Sequence, residues 1–209
     1  MSVRLAIFDF DGTLADSWAV FAQSVNTLAV RHRFRTIGAG EHERLRRLGA
    51  SQVLRELRLP LWRVPAVAMD LRRIVSGRIA EVKPFEGVPQ ALRQLLDAGI
   101  DLAIASSNTE DNVRAVLGDD LVARMRALEC GTGLFGKPQR LRRILRHTAC
   151  TPAEAVYVGD ELRDAEAARE AGMAFCAVTW GYNDAGTLRG ADPAHVFATP
   201  ADFARLAAA

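Results

Sequence analysis

Lysine is nearly missing from this chain. Of its 27 basic side chains only Lys83 and Lys137 are lysines, and the rest are arginines, so each lysine stands out as a candidate for a special task. Histidine is scarce too, and His32, His42, His147 and His195 form no pair at metal-ligand spacing. The three cysteines, Cys130, Cys150 and Cys176, are odd in number, widely spaced and without a C-x-x-C, which excludes a disulfide framework and a zinc site. No apolar run approaches the roughly 20 residues of a membrane helix, and no apolar leader with a cleavage site opens the chain. The net charge of +2, with no concentrated basic stripe, speaks against a nucleic-acid binder. A reduced, cytoplasmic protein is expected, with no membrane and no nucleic acid among its partners. Its 209 residues suffice for one sizeable core plus a small insert.

What is there begins with Leu5-Ala6-Ile7-Phe8-Asp9-Phe10-Asp11-Gly12-Thr13-Leu14. An apolar run of strand length ends in two carboxylates and a glycine. Asp and Gly are poor strand residues and good turn residues, so the strand should stop at or just after Asp9. Ligands of open α/β sheets bind at the carboxyl ends of strands, which places both acids where chemistry occurs. A single acid there would ordinarily do no more than cap the next helix.

Residues 15–80 read as helix throughout: Asp16-Ser17 to about Arg31, Glu41 to Leu48, a Ser51-capped Gln52 to Leu59, and Pro65 to Val82. From there strand and helix alternate. Strands are expected at Asp101–Ser106, Leu128–Gly131, Ala155–Asp160, Met173–Thr179 and His195–Ala198, with 119–128 helical, Gly133–Pro138 a loop and Gln139–Thr148 an Arg-rich helix. The change of pattern predicts an α/β fold: a Rossmann-like, doubly wound parallel sheet formed by 1–14 and 81–209, with a small all-α cap (15–80) inserted after the first strand. No long apolar seam demands an oligomer, so a monomer and a homodimer both remain open.

Three of these strands end in polar groups: Asp9 and Asp11, Ser106-Ser107-Asn108, and Asp160. A parallel sheet brings those ends to one edge, and Lys137 lies in a loop of the same sense. Clustered carboxylates raise one another's pKa unless a cation neutralises them. Mg2+ commonly takes one or two carboxylates together with phosphate oxygens. A lysine and a hydroxyl would meet the remaining oxygens, so the set reads as metal-assisted phosphoryl transfer on a small phosphorylated metabolite.

Four segments resemble, in order, the motifs of the haloacid dehalogenase superfamily, in particular its phosphoglycolate-phosphatase-like group with a helical cap. They are Asp9-Phe-Asp-Gly-Thr13, Ser106 after Ala-Ile-Ala, Lys137-Pro138, and Gly159-Asp160-Glu-Leu-Arg-Asp164. The resemblance implies that Asp9 attacks phosphorus and forms an aspartyl phosphate. Asp11 would protonate the leaving oxygen and then take a proton from water. Mg2+ would be held by Asp9, Asp160 and the carbonyl of Asp11. Ser106 and Lys137 would bind the phosphoryl group, shared with Ser107 or Asn108 because the second motif reads Ser-Ser-Asn. Asp164 would act through water on the metal, or orient its ligands.

The same resemblance separates relatives. Haloacid dehalogenases lack the second acid, and Asp11 is present here. Phosphonoacetaldehyde hydrolases use a cap lysine, and 14–80 contains none. Phosphosugar mutases carry a histidine on the first cap helix, where Phe21 stands here. A catalytically silent binding protein on this scaffold would break Asp9, Asp11, Lys137 or Asp160, all of which are intact. Phosphomonoester hydrolysis is the expected activity. Glu161 departs from the usual Ser. Arg44, Arg46 and Arg47 are candidates for gripping an anionic substrate, Trp18, Phe21, Trp62 and Phe85 are expected to pack, and the arginines of 140–146 are expected on a solvated face.

Overall fold

The computed structural model describes residues 3–38, 40–45, 47–131 and 136–208. Strand β1 (Leu5–Phe8) opens the chain, and β2 (Ala15–Asp16) follows its turn. Helices α1 (Trp18–His32), α2 (His42–Leu45), α3 (Ala50–Glu56) and α4 (Val64–Gly77) come next, and β3 (Lys83–Pro84) returns the chain to the sheet. The remainder alternates: α5 (Val88–Asp97), β4 (Asp101–Ala105), α6 (Glu110–Leu117), α7 (Asp119–Val122), β5 (Ala127–Glu129), α8 (Lys137–Thr148), β6 (Ala155–Gly159), α9 (Leu162–Ala171), β7 (Ala174–Val178), α10 (Ala185–Arg189) and β8 (His195–Phe197).

Six strands form one parallel sheet in the order β5-β4-β1-β6-β7-β8. Counting only these strands, that is the 3-2-1-4-5-6 order of a doubly wound sheet, whose order reverses beside β1. The strands lack polar/apolar alternation because both faces are covered. Ala6, Phe8, Leu102, Ile104, Val156 and Val158 pack one way, against α5, α6 and Phe203. Leu5, Ile7, Ala103, Tyr157 and Phe175 pack the other way, against α8 and α9. The α/β fold expected from the alternation is the one observed.

The helices from Trp18 to Gly77 enclose a separate apolar cluster that includes Leu28, Ile37, Leu57 and Val67. The segment joins the sheet through a two-stranded antiparallel ribbon pairing Ala15 with Pro84 and Asp16 with Lys83. Lys83 is an exposed member of that ribbon.

Element boundaries differ from expectation where local capping decides them. The helix expected from Glu41 to Leu48 is the single turn α2. The next helix starts before Ser51, because the Gly49 amide donates to Gln52 Oε1 at 2.9 Å and sets an earlier cap. The helix expected to reach Val82 stops at Gly77, and Ile79–Glu81 is a distinct 3-10 turn. Of 119–128 only Asp119–Val122 is α-helical, since Ala127–Glu129 is drawn into pairing with β4. Lys137 is not in a loop: it opens α8, whose second residue Pro138 suits a helix start. Of the loop expected before it, 132–135 lie outside the described residues.

Candidate functional site

The carboxyl ends of β1, β4 and β6 meet at the point where strand order reverses, and the acids predicted there converge. Asp9, directly after β1, is buried; its amide donates to the Val158 carbonyl at 2.9 Å, which holds it in the sheet's register. Its Oδ1 accepts from the Phe10 amide at 2.8 Å. Its Oδ2 accepts from Lys137 Nζ at 2.7 Å, across 128 residues of sequence. The same ammonium donates to Asp164 Oδ1 at 2.5 Å. Lys137 reaches both because it is the first residue of α8 and is itself buried.

Asp160 follows β6 and is fully buried. Thr13 Oγ1 donates to its Oδ1 at 2.7 Å, and the Tyr182 amide donates to its Oδ2 at 2.7 Å. Asp164 lies one helical turn on, also fully buried, and its Oδ2 accepts from the amides of Asp160 (3.1 Å) and Glu161 (3.0 Å). Two glycines make room. At Gly12, with φ of 77°, an added Cβ would lie 2.3 Å from Asp160 Oδ2. At Gly159 it would lie 2.4 Å from Asp164 Oδ2.

Carboxylate oxygens of Asp9, Asp160 and Asp164 lie within 4.8 Å of one another. Burial pushes the Asp9 carboxyl up to about 6, Asp164 adds repulsion, and Lys137 opposes the rise. Burial raises Asp160 well above the carboxylate range, reinforced by Glu161, Asp164 and Asp9. Burial disfavours the charge on Lys137, but Asp164 and Asp9 outweigh it and its pKa is raised. Three buried acids with one ammonium among them form a hard-oxygen donor set short of positive charge, which fits a divalent cation.

Asp11 is set apart from that trio. Its carboxylate accepts from Asn108 Nδ2 at 3.1 and 3.3 Å and lines a cleft beneath α4. Burial raises its pKa, while hydrogen bonding from Asn108 and Ser17 favours the charged form. Ser106, at the end of β4, is buried, and its Oγ accepts from the Asn108 amide at 3.0 Å, which leaves its proton to donate. Ser107 is half-buried on the cleft wall. Asn108, expected to share a phosphate contact, instead holds Asp11, and is itself fixed by Asn112 Nδ2 at 2.6 Å. The sequence signals Asn108 only by its place after the strand, and nothing in its spacing points to Asp11.

Tyr182 escaped the sequence reading altogether, because an aromatic after β7 carries no motif. Its hydroxyl is 2.9 Å from Ser17 Oγ, and its ring packs against Trp18 and Phe21, with centroids 5.2 Å away in each case. Ser17 is therefore engaged with Tyr182 and does not cap α1 with its side chain. Beside Tyr182, Asn183 accepts from the Leu162 amide at 3.0 Å and donates to the Leu48 carbonyl at 3.1 Å, which ties the helical segment to the sheet edge.

The cleft between α1, α4 and the strand ends has a volume of about 130 Å³. A larger cavity of about 250 Å³ lies among the helices of 18–77 and is lined almost wholly by apolar side chains such as Leu28, Ile37 and Val67. Asp11, Ser107 and Asn108 line the smaller space, which therefore adjoins the acids at the strand ends.

Other expectations are corrected. Arg44 is engaged on the surface by Glu41 and Glu56, and Arg47 by Asp184, so neither faces the cleft; Arg46 lies outside the described residues. Arg140 is not on a solvated face: it is buried and donates to the Gly131 carbonyl at 2.6 Å, while Arg142 and Arg143 remain exposed. Trp62 does not pack inward but is exposed beneath the Arg63 guanidinium.

Residues 6–178 match the model of the haloacid dehalogenase-like hydrolase family. The chain is 33% identical over 202 residues to a phosphoglycolate phosphatase of Synechococcus elongatus, covering 96% of this chain and 95% of that one. It is 32% identical over 199 residues to a phosphoglycolate phosphatase of Agrobacterium fabrum, covering 86% and 82%. Among solved structures, a haloacid dehalogenase-like hydrolase from Streptococcus pneumoniae superposes with a TM-score of 0.80 at 18% identity, covering 98% of each chain. CbbY from Rhodobacter sphaeroides, in complex with phosphate, superposes with a TM-score of 0.72 at 22% identity and 96% coverage of each. The chain is an enzyme of the haloacid dehalogenase-like hydrolase family, similar to its phosphoglycolate phosphatases.

Proposed function

We propose that this enzyme hydrolyses a small phosphomonoester, of the phosphoglycolate, phosphosugar or nucleotide kind, through an aspartyl phosphate on Asp9, with residues 15–80 acting as a cap over the site. The observation that carries the reading is the 2.7 Å contact between Lys137 Nζ and Asp9 Oδ2 beside buried Asp160 and Asp164. A nucleophilic carboxylate, a phosphoryl-binding ammonium and a cation site thus share one point.

In the first step the Asp9 carboxylate attacks phosphorus, and the bond to the leaving oxygen breaks. Asp11 supplies the proton that the leaving oxygen needs, and its burial favours holding one. Lys137 Nζ and the free proton of Ser106 Oγ would hold the phosphoryl oxygens, with Ser107 at the cleft wall. In the second step water attacks phosphorus, Asp11 takes its proton, and the Asp9–phosphorus bond breaks. Asn108 keeps the Asp11 carboxylate aimed into the cleft throughout.

Mg2+ would be held by the side chains of Asp9 and Asp160 and the carbonyl of Asp11. Bound there, it would neutralise the acids and the charge of the phosphoryl group. Both oxygens of Asp164 are already engaged by Lys137 and two amides, which suits it to positioning Lys137 and the Asp160 backbone. The cap would exclude water while the acyl phosphate exists.

The test is phosphate release from a panel of phosphomonoesters, with Mg2+ and with chelator, by the wild type and Asp9→Asn. Turnover that requires the cation and falls by at least about 10³-fold in Asp9→Asn is expected. Equal rates in the two proteins would remove Asp9 as the nucleophile.

A further inference from the structure

The phosphoryl chemistry makes no use of the larger of the two cavities. Its volume is about 250 Å³, and side chains such as Val25, Leu28, Ile37, Val67 and Leu71 wall it. Close-packed interiors leave few voids larger than a water molecule, because atoms that line a void forfeit the contacts that packing would give. A space of this size within so short a helical segment calls for an occupant.

The lining decides what kind of molecule fits. Its polar members are Glu161, Arg163, Tyr182 and Asn183. Arg163 Nη2 donates to Glu161 at 2.6 Å, so the two charges offset each other. The Tyr182 hydroxyl lies 2.9 Å from Ser17 Oγ, and Asn183 is held between the Leu162 amide and the Leu48 carbonyl. A charged or strongly hydrated occupant would lose its water to walls that return little. An apolar occupant gains by leaving water. For scale, an apolar cavity of about 150 Å³ in another protein stays dry and takes up benzene. By that measure the present cavity holds about ten non-hydrogen atoms, the size of a fused ring pair or a short branched chain.

The cavity also has a wall that can admit a ligand. Leu45 comes from α2 and Val53 and Leu54 from α3, helices of four and seven residues. Helices that short hold by packing more than by their own hydrogen bonds, so this side opens more readily than α1 or α4. On the other side, Phe21, Ala68, Leu71, Arg163 and Tyr182 line both this cavity and the cleft that Asp11 lines. Whatever fills the cavity therefore touches the walls of the cleft.

We infer that the cavity among the helices of 18–77 is a second binding site, for a small apolar group of about ten non-hydrogen atoms, aromatic or branched aliphatic. The group is either a free molecule or the apolar part of a phosphomonoester.

The experiment titrates indole, and separately toluene, into the full chain by calorimetry without substrate, for the wild type, Val25→Phe and Val67→Phe. Val25 and Val67 line the cavity and not the cleft, so each change fills the void away from the phosphoryl site. One site is expected on the wild type, with Kd raised by at least about tenfold in either variant. The ligand should also raise the thermal midpoint of the wild type. Nuclear Overhauser contacts from indole to the methyl groups of Leu28 and Val67 place the ligand in the wild type itself, which keeps the test decisive if both variants fail to fold. No binding of either probe, contacts only to methyl groups outside the cavity, or an affinity unmoved in both folded variants overturns the site. Rates with Mg2+ then name the source. A kcat/KM for benzyl phosphate at least about tenfold above that for ethyl phosphate, with indole competing, assigns the cavity to the substrate. Equal turnover of the two esters, with indole changing KM for phosphoglycolate in the wild type and not in Val67→Phe, assigns it to a free molecule. Binding is read without turnover, so this site and the phosphatase reading stand or fall separately.

Discussion

Lys137 is the residue on which most of the site's electrostatics turns. Its ammonium lies between two buried carboxylates, and removing it strips each of its ion-pair partner. Breaking a buried pair in this way costs about 3–5 kcal/mol. Lys137→Met should therefore lower the denaturation midpoint measured without metal, and should reduce kcat by about 10²-fold or more with Mg2+. A variant with unchanged midpoint would mean that the pairing contributes little. Asn108 offers a finer probe. Its amide favours the charged form of Asp11, so Asn108→Ala should shift the ionisation of Asp11 upward. The limb of the kcat/KM pH profile that reports Asp11 should move to higher pH, with turnover lowered about 10–10²-fold. An unmoved limb would argue that Asn108 does not orient the acid. Both motif acids were legible in the sequence because an apolar run ending in carboxylates is unusual. Asn108 and Tyr182 were not, because their roles depend on side chains distant in the chain.

At the scale of elements, the sheet strands were readable and the short helices were not. β1, β4, β6 and β7 are buried on both faces, so burial writes them into the sequence as uninterrupted apolar runs. β5 is half-exposed at the sheet edge, and its identity depends on pairing with β4. α2 and α3 are fixed by local caps such as the Gln52 side chain, which several sequences could supply. The start of α8 at Lys137 matters most for function, since it turns an expected loop lysine into a rigidly based one. The contact between α1 and the loop after β7 makes its own prediction. Tyr182 packs on Trp18 and Phe21 while its amide holds Asp160. Tyr182→Ala should cost about 3 kcal/mol in chemical denaturation and weaken closure over the site, read as a rise in KM. A change under about 0.5 kcal/mol would show that the aromatic contact does not fasten α1.

For the whole molecule, the charge deficit at the strand ends couples stability to pH and to metal. Asp9 has a folded-state pKa of about 6 against an ordinary 3.8. A carboxyl with a raised folded pKa contributes stability that is present below pH 3.8 and is lost as pH rises through about 6. Asp160 acts in the same direction. The metal-free enzyme should thus lose thermal stability as pH is raised across that window. Mg2+ should restore it above the window, through binding to the folded state alone. A midpoint that Mg2+ leaves unchanged at neutral pH would contradict the cation site. The fold as a whole was legible from strand–helix alternation, and the convergence of Asp9, Asp160 and Lys137 follows from parallel strands sharing one edge. Placement of the helical segment, by contrast, rests on Tyr182, Asn183 and Leu48, which no periodicity records.

The measurement that bears most directly on the central claim is a rapid acid quench of the wild type during turnover, followed by mass analysis of its peptides. The account predicts one added phosphoryl group on the peptide carrying Asp9, absent from Asp9→Asn. A phosphoryl group on a different residue, or phosphate release by Asp9→Asn at the wild-type rate, would contradict it.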